Sequence, residues 1–413
     1  MSDKRNLHIQ RRRASPFLRA IAALVFFSAS GVAAQGETFA YKFTEGQKFH
    51  VISTVEQTVS VDGVVSHTAE ILNRIAITVD RIKDGSGYLN ADFQTSEEAH
   101  HAGQLFQWGE EYHSEFWEDP QGHFQIPSRY FMPTVRNVPV FPKRDVRKGE
   151  TWSAEGEEAH DFRQSFGIAE PFTFPVPVSY KYLGKEMVDG KQYDAISIKY
   201  NVYFETPNQY PGVYPALITG FSNQILYWDP ERGREHSYHE NYAFFFILSD
   251  GRTVKFEGTA EAKVIDSPKM DKGKVAQDIR GTIKDLGLSD TEVKTDSKGV
   301  TISIENIQFL PDSSVLTEGE KAKIRHIADI LKKYPERDIL ITGYTALAGT
   351  QEGRQKLSEE RAAAVGQYLL DLGARTREHM IYRGMGARDP IADNSTPEGM
   401  RKNRRVEITI MEN

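Results

Sequence analysis

Two short runs in this chain of 413 residues carry side chains of the types that hold metals. His236-Ser-Tyr-His-Glu240 offers two imidazoles and a carboxylate. Read as a strand, it points His236, Tyr238 and Glu240 one way and His239 the other, so they cannot converge on one ion. Glu97-Glu-Ala-His-His101 lies in a polar stretch that reads as a solvated loop. Glu157-Glu-Ala-His160 repeats four of those letters, a coincidence of composition. No Gly-x-Ser-x-Gly, phosphate-loop or His-Glu-x-x-His spacing occurs. The chain has no cysteine, which excludes disulfides, thiolate metal sites, a cysteine nucleophile and a lipidated cysteine behind a leader. Catalysis, cofactor and metal are therefore not expected.

The elements that would position any site begin with a leader. Lys4, Arg5, Arg11, Arg12, Arg13 and Arg19 precede an apolar run from Ala20 to Phe27, and small residues lead to Ala33-Ala34. That order is the pattern of a signal peptide covering 1–34, cleaved after Ala34, with export to the periplasm. The apolar run is short for a membrane span. Six cations and one acid in 1–34 take the formal charge from −7 for the whole chain to −12 for the rest. Such an acidic balance argues against a nucleic-acid partner.

From 35 to 265 the period is two. Phe49, Val51, Val55, Val59 and Val61 share one parity, as in a strand with one buried face. Asp62-Gly63, Asp84-Gly85, Asp189-Gly190 and Asp250-Gly251 separate strand-like runs at 71–82, 88–93, 193–204 and 253–264. Each offers the left-handed conformations of a tight hairpin. The stretch 103–177, rich in aromatics and prolines, reads as long loops or one short helix. Trp108, Trp117, Trp152 and Trp228 read as core or rim packing. Residues 266–273 are a polar linker. Beyond it the period becomes helical at Val275, Ile279, Ile283 and Leu286, stopped by Gly287. It returns at Ile324, Ile327, Ala328 and Leu331, stopped by Pro335, and at Ala362, Val365, Leu369 and Leu372, stopped by Gly373. Strand-like runs at 291–295, 300–309, 338–345, 380–384 and 405–410 alternate with these helices. One sheet against helices follows.

Residues 307–410 resemble the OmpA C-terminal family at five separated places. Ile307-Gln-Phe-Leu-Pro-Asp-Ser-Ser-Val-Leu316 looks like its opening strand and turn. Ile341-Thr-Gly-Tyr-Thr345 is similar to its second strand, which usually reads Gly-His-Thr-Asp. Leu357-Ser-Glu-Glu-Arg-Ala-Ala-Ala-Val365 matches the Leu-Ser-x-x-Arg-Ala-x-x-Val helix. Gly384-Met-Gly386 with Pro390 and Asn394-Ser-Thr follows, and Asn403-Arg-Arg-Val-Glu-Ile408 completes the order. The resemblance implies a βαβαβ domain over 274–413 that binds the peptidoglycan stem peptide noncovalently. In the family an Asp after the second strand takes the amine of diaminopimelate. The Arg of the helix motif takes the carboxylate by a planar fork.

Arg361 matches that Arg. Thr345 matches the strand's end, but Ala346 stands where the family has Asp, and Arg354 where it usually has Asn. Helical spacing puts Arg354, Ser358 and Arg361 on one stripe, so the site exchanges an anion for a cation. Asn403 and Arg404 match the terminal motif and would help shape the site.

The expected whole is a multi-domain α+β protein: an antiparallel β-rich domain over 35–265, half-barrel or sandwich, followed by the OmpA-like domain. The expected role is a periplasmic tether, cell-wall or outer-membrane associated, with peptidoglycan as partner. The β-domain would meet an envelope protein or other envelope partner, or fill a structural role. The alternative is a carrier whose β-domain holds a lipid or other apolar ligand. A large apolar cavity would favour the carrier, and a packed interior the tether.

Overall fold

The computed structural model describes residues 36–98, 105–267, 269–288, 290–307, 309 and 314–412. The leader at 1–34 and the run Ala99–His101 of the first histidine cluster lie outside the described residues, as do parts of the Ile307–Leu316 motif.

The N-terminal half is one long antiparallel meander. Its strands are β1 (Lys48–Val61), β2 (Val64–Lys83), β3 (Ser86–Glu98) and β4 (Phe106–Glu118), followed by the short β5 (Phe124–Gln125) and β6 (Val135–Arg136). Then come β7 (Thr151–His160), a one-turn helix α1 (Arg163–Phe166), β8 (Phe172–Val188), β9 (Lys191–Glu205), β10 (Pro215–Asp229), β11 (Arg234–Leu248) and β12 (Thr253–Asp266). Pairing runs β5-β4-β3-β2-β1-β12-β11-β10-β9-β8-β7-β6, an open sheet in which β12 returns to lie beside β1.

Local chemistry explains the turns. Asp62-Gly63, Asp84-Gly85 and Asp189-Gly190 all have positive φ at both positions, the requirement of the two-residue hairpin. Asp250-Gly251 differs: only Gly251 is left-handed, and a longer loop closes through the Leu248 amide bonded to the Arg252 carbonyl.

The region 103–177 is more regular than its composition implies, since β4, β7 and the start of β8 lie there. Prolines 175 and 177 concealed β8. They sit where β8 pairs with β7 but before β9 joins at Val178, so their missing N–H groups weaken no second ladder.

One face of this sheet is packed with aromatics. Val176, Val178, Tyr180 and Tyr182 of β8 and Ile196, Ile198, Tyr200 and Val202 of β9 are buried there beside Phe39, Phe141 and Trp228. The rings of Phe141 and Trp228 lie 4.6 Å apart, those of Trp152 and Tyr180 5.1 Å, and the Trp152 indole donates to the Val140 carbonyl. Burying each such ring is worth about 4–6 kcal/mol at about 25 cal/mol per Å². A groove of about 950 Å³ has a mixed lining, with Trp152, Tyr180, Leu183 and Ile225 beside Lys181 and Lys199.

The C-terminal half comprises α2 (Lys272–Asp285), β13 (Thr291–Thr295), β14 (Gly299–Glu305), α3 (Glu318–Leu331), β15 (Ile339–Gly343), α4 (Gln351–Asp371), β16 (Met380–Gly384), α5 (Pro397–Asn403) and β17 (Arg405–Met411). Strand order is β13-β14-β17-β15-β16, with β15 and β16 parallel. Its core is separate from the aromatic one and is built from Ile302, Ile304, Ile324, Ile327, Leu331, Ile341, Val365, Leu369 and Ile408. Gly373 (φ 64°) ends α4 while the Ala374 amide reaches back to the Leu369 carbonyl, a left-handed cap.

The expectation that the two regions keep separate sheets is corrected here. Ile381 and Tyr382 of β16 pair in parallel with Phe106 and Gln107 of β4, joining both halves through one hydrogen-bonded ladder. β16 is otherwise an edge with apolar residues buried on both faces, and an uncovered edge of that kind demands a partner. Ile52, Leu72, Phe106, Leu340 and Ile381 seal the junction. Beside them Arg74 and His379 converge on the buried carboxylate of Asp338 at 3.4 and 2.5 Å.

Candidate functional site

The candidate site gathers at the C-terminal ends of β15 and β16 and the first half of α4. Thr350 caps that helix, its hydroxyl accepting from the Gly353 amide at 3.0 Å. Two glycines let the strands approach it. A Cβ on Gly343 would strike the Ser358 carbonyl, and one on Gly384 would strike the Ser358 hydroxyl.

Ser358 is therefore a clamp and not a ligand group. It is fully buried, donates to the Gln355 carbonyl (2.7 Å) and accepts from the Gly386 amide (2.9 Å). The Thr345 amide donates in turn to the Gly386 carbonyl at 2.7 Å. This ties the end of β15 to the turn after β16 and to α4, one helical turn from Arg361.

Asn403 is likewise committed internally. Its Oδ1 accepts from Ile391 (2.8 Å) and Ala392 (3.0 Å), and its Nδ2 donates to the Ala392 carbonyl and to Asn394 Oδ1. Asn394 Oδ1 also accepts from the Leu347 amide. The loop after β15 and the loop before α5 are held together by this one amide network.

Three cations remain. Arg361 is half-buried, its guanidinium 4.9 Å from the Phe309 ring, and its buried Nε has no hydrogen-bond partner among the described residues. Burial, and then the adjacent Arg404, hold its pKa below the usual arginine value. Arg404 makes no side-chain hydrogen bond among the described residues. Arg354 turns instead to the Gly349 carbonyl at the helix start. Ala346 and Thr345 are both buried at 6% exposure, and the Thr345 hydroxyl is unpartnered. The arrangement presents guanidinium donors to an anion at one end and a neutral, hydroxyl-bearing wall at the other.

Sequence reasoning passed over several supports. Gln355 bonds Glu359, the Gly384 carbonyl and Arg388. Arg405 lies 3.5 Å over the Tyr344 ring and bonds Glu407 at 2.8 Å. The doublet Arg404-Arg405 was visible, but which of the two turns inward depends on where β17 begins. Phe309, the surface under Arg361, was visible only as part of a motif.

Elsewhere the second histidine run is rearranged. The β10–β11 register jumps from Tyr227↔Ser237 to Trp228↔Glu235, so His236 is the extra residue of a bulge. It leaves the row of Tyr238 and Glu240 and stacks on Tyr193 at 4.0 Å, correcting the expected facing. Glu235 turns inward in its place, bonded to Tyr41, with Glu118 nearby. Burial raises the pKa of both carboxyls.

A family model described as "OmpA family" matches residues 308–404. Among curated proteins, the chain is 38% identical over 104 residues to peptidoglycan-binding protein ArfA of Mycobacterium tuberculosis, covering 25% of this chain and 32% of that one. It is 31% identical over 166 residues to the probable lipoprotein YiaD of Escherichia coli, covering 35% of this chain and 75% of that one. Thus the chain spans about a third of the mycobacterial relative and three quarters of the other. Among solved structures, an outer membrane protein of Borrelia burgdorferi is 36% identical, covering 29% of this chain and 96% of that one, with a TM-score of 0.25.

Proposed function

Because the chain belongs to the OmpA family through its C-terminal domain, we propose that it is a non-enzymatic cell-envelope protein that binds peptidoglycan noncovalently. Arg361 is the anchor. The observation that carries this reading is its buried, unpartnered Nε beside a second cation, Arg404, on a wall held by Ser358 and Asn403. Buried donors without acceptors are costly, and a carboxylate taken by the planar fork would satisfy them. Relatives with the same domain, one of them named for peptidoglycan binding, support the same direction. The leader at 1–34 fits export to the periplasm, and the limits 35–265 and 274–413 remain the proposed domains.

The β-domain serves in this reading as the part that meets an envelope partner. Its aromatic face is filled with side chains, and a packed interior favours the tether over a lipid carrier. Co-sedimentation of the full chain with purified sacculi tests the proposal. The parent should pellet with them and Arg361→Ala should remain in solution. Equal pelleting of both would remove Arg361 as anchor, and no pelleting of the parent would refute the function.

A further inference from the structure

We infer that this pocket recognises a carboxylate flanked by small apolar groups, such as an acyl-D-alanine terminus, and gains nothing from a ligand amine. This rests on the peptidoglycan reading above and names the part of the stem peptide that fits.

The anionic end of the ligand is set by Arg361 and Arg404. Arg361 is half-buried with an unpartnered Nε, and after burial it is the neighbouring charge of Arg404 that lowers its pKa. An anion bound between them relieves that repulsion, whereas an ammonium adds to it. The acids nearby are already engaged. Glu360, which acts on Arg361, is exposed and lies 3.8 Å from Lys356. Glu407 is held by Arg405 and Tyr344, and Asp393 by Ser395. At the position where the family has its Asp, Ala346 offers no carboxylate to receive an amine.

The other end of the pocket is neutral. Thr345 offers a buried hydroxyl without a partner, suited to an amide group, and Ala346 beside it presents only a methyl. Around them Leu347 and Ile391 stand 56% and 39% exposed, unusual for side chains of their size. Both have their backbone amides pinned by Asn394 and Asn403, next to Arg404 in the chain. With their backbones held, they form an apolar rim that methyl groups beside a terminal carboxylate match with little loop ordering on binding.

Titration of the full chain, followed by NMR or calorimetry, tests this with three probes: N-acetyl-D-alanyl-D-alanine, its C-terminal amide, and meso-diaminopimelate. The acetylated acid should bind at least about tenfold more tightly than either of the others. Arg361→Lys, which keeps the charge but loses the planar fork, should lose most of that binding while leaving the circular dichroism unchanged. Ala346→Asp should invert the order of the acid and diaminopimelate. Tighter binding of diaminopimelate by the parent, equal binding of the acid and its amide, or no binding of any probe would each overturn the inference. Sacculus sedimentation on the same preparation separates the two claims. Pelleting with the wrong probe order leaves the peptidoglycan reading standing, and failure to pellet removes both.

Discussion

Asp338→Asn is the substitution with the largest effect expected at the junction of the two halves. The carboxylate is 3% exposed and Arg74 is 7% exposed. Arg74 Nε lies 3.4 Å from Oδ2, His379 Nδ1 lies 2.5 Å from Oδ1, and Arg74 Nη2 donates to the Glu378 carbonyl. Arg74 Nη1 is buried with no partner among the described residues, so the guanidinium depends first on this anion for its charge balance, with Glu378 second. Removing one member of such a buried pair costs about 3–5 kcal/mol, because the other charge is left uncompensated. Replacing both by apolar residues of similar volume, Arg74→Met with Asp338→Leu, should cost under about 1 kcal/mol or even stabilise. Urea unfolding measures both, and Trp108, packed against the junction cluster, serves as a local fluorescent reporter. A single substitution that costs no more than the double one would refute the reasoning.

The same junction is expected to weaken in mild acid. Burial first, and then Arg74, His379 and Arg337, hold His50 below its usual pKa, only partly offset by Asp338. The unfolded chain therefore binds the extra proton below about pH 6.5, and stability falls by up to about 1.4 kcal/mol per pH unit until the folded value is reached. His236 is also lowered, so the measurement is the difference in slope between the parent and His50→Gln, which should be flatter. Burial raises the Asp338 carboxyl, but Arg74, His379 and His50 more than reverse this. Its stabilising share persists above about pH 3.9 and is lost only as pH falls through its lower folded value. Ser358→Ala should cost about 1–3 kcal/mol in urea unfolding by stranding the Gly386 amide. Trp228→Ala, at 1% exposure among Tyr41 and Phe141, should cost about 3–5 kcal/mol, read as a lower midpoint for the β-domain.

Much of the local structure was written in short stretches of the sequence. Asp62-Gly63, Asp84-Gly85 and Asp189-Gly190 dictated their turns because few other residue pairs accept positive φ twice. The periods of α3 and α4, and the glycine after α4, were legible for the same reason: they follow from backbone and side-chain preferences over one or two turns. Tertiary structure alone decided the rest. Phe106 finds Ile381 across 275 positions because each strand has an edge that the other covers, and nothing near either residue encodes that meeting. Spacing and motif marked Ser358 and Asn403, but only packing committed their polar atoms to Gly386, Ile391 and Ala392. A one-residue bulge moved His236 out of the row of Tyr238 and Glu240 and onto the Tyr193 ring, while Glu235 bonds Tyr41. Polar residues such as these carry no local mark of burial, since the partners that make it tolerable arrive only when distant strands assemble.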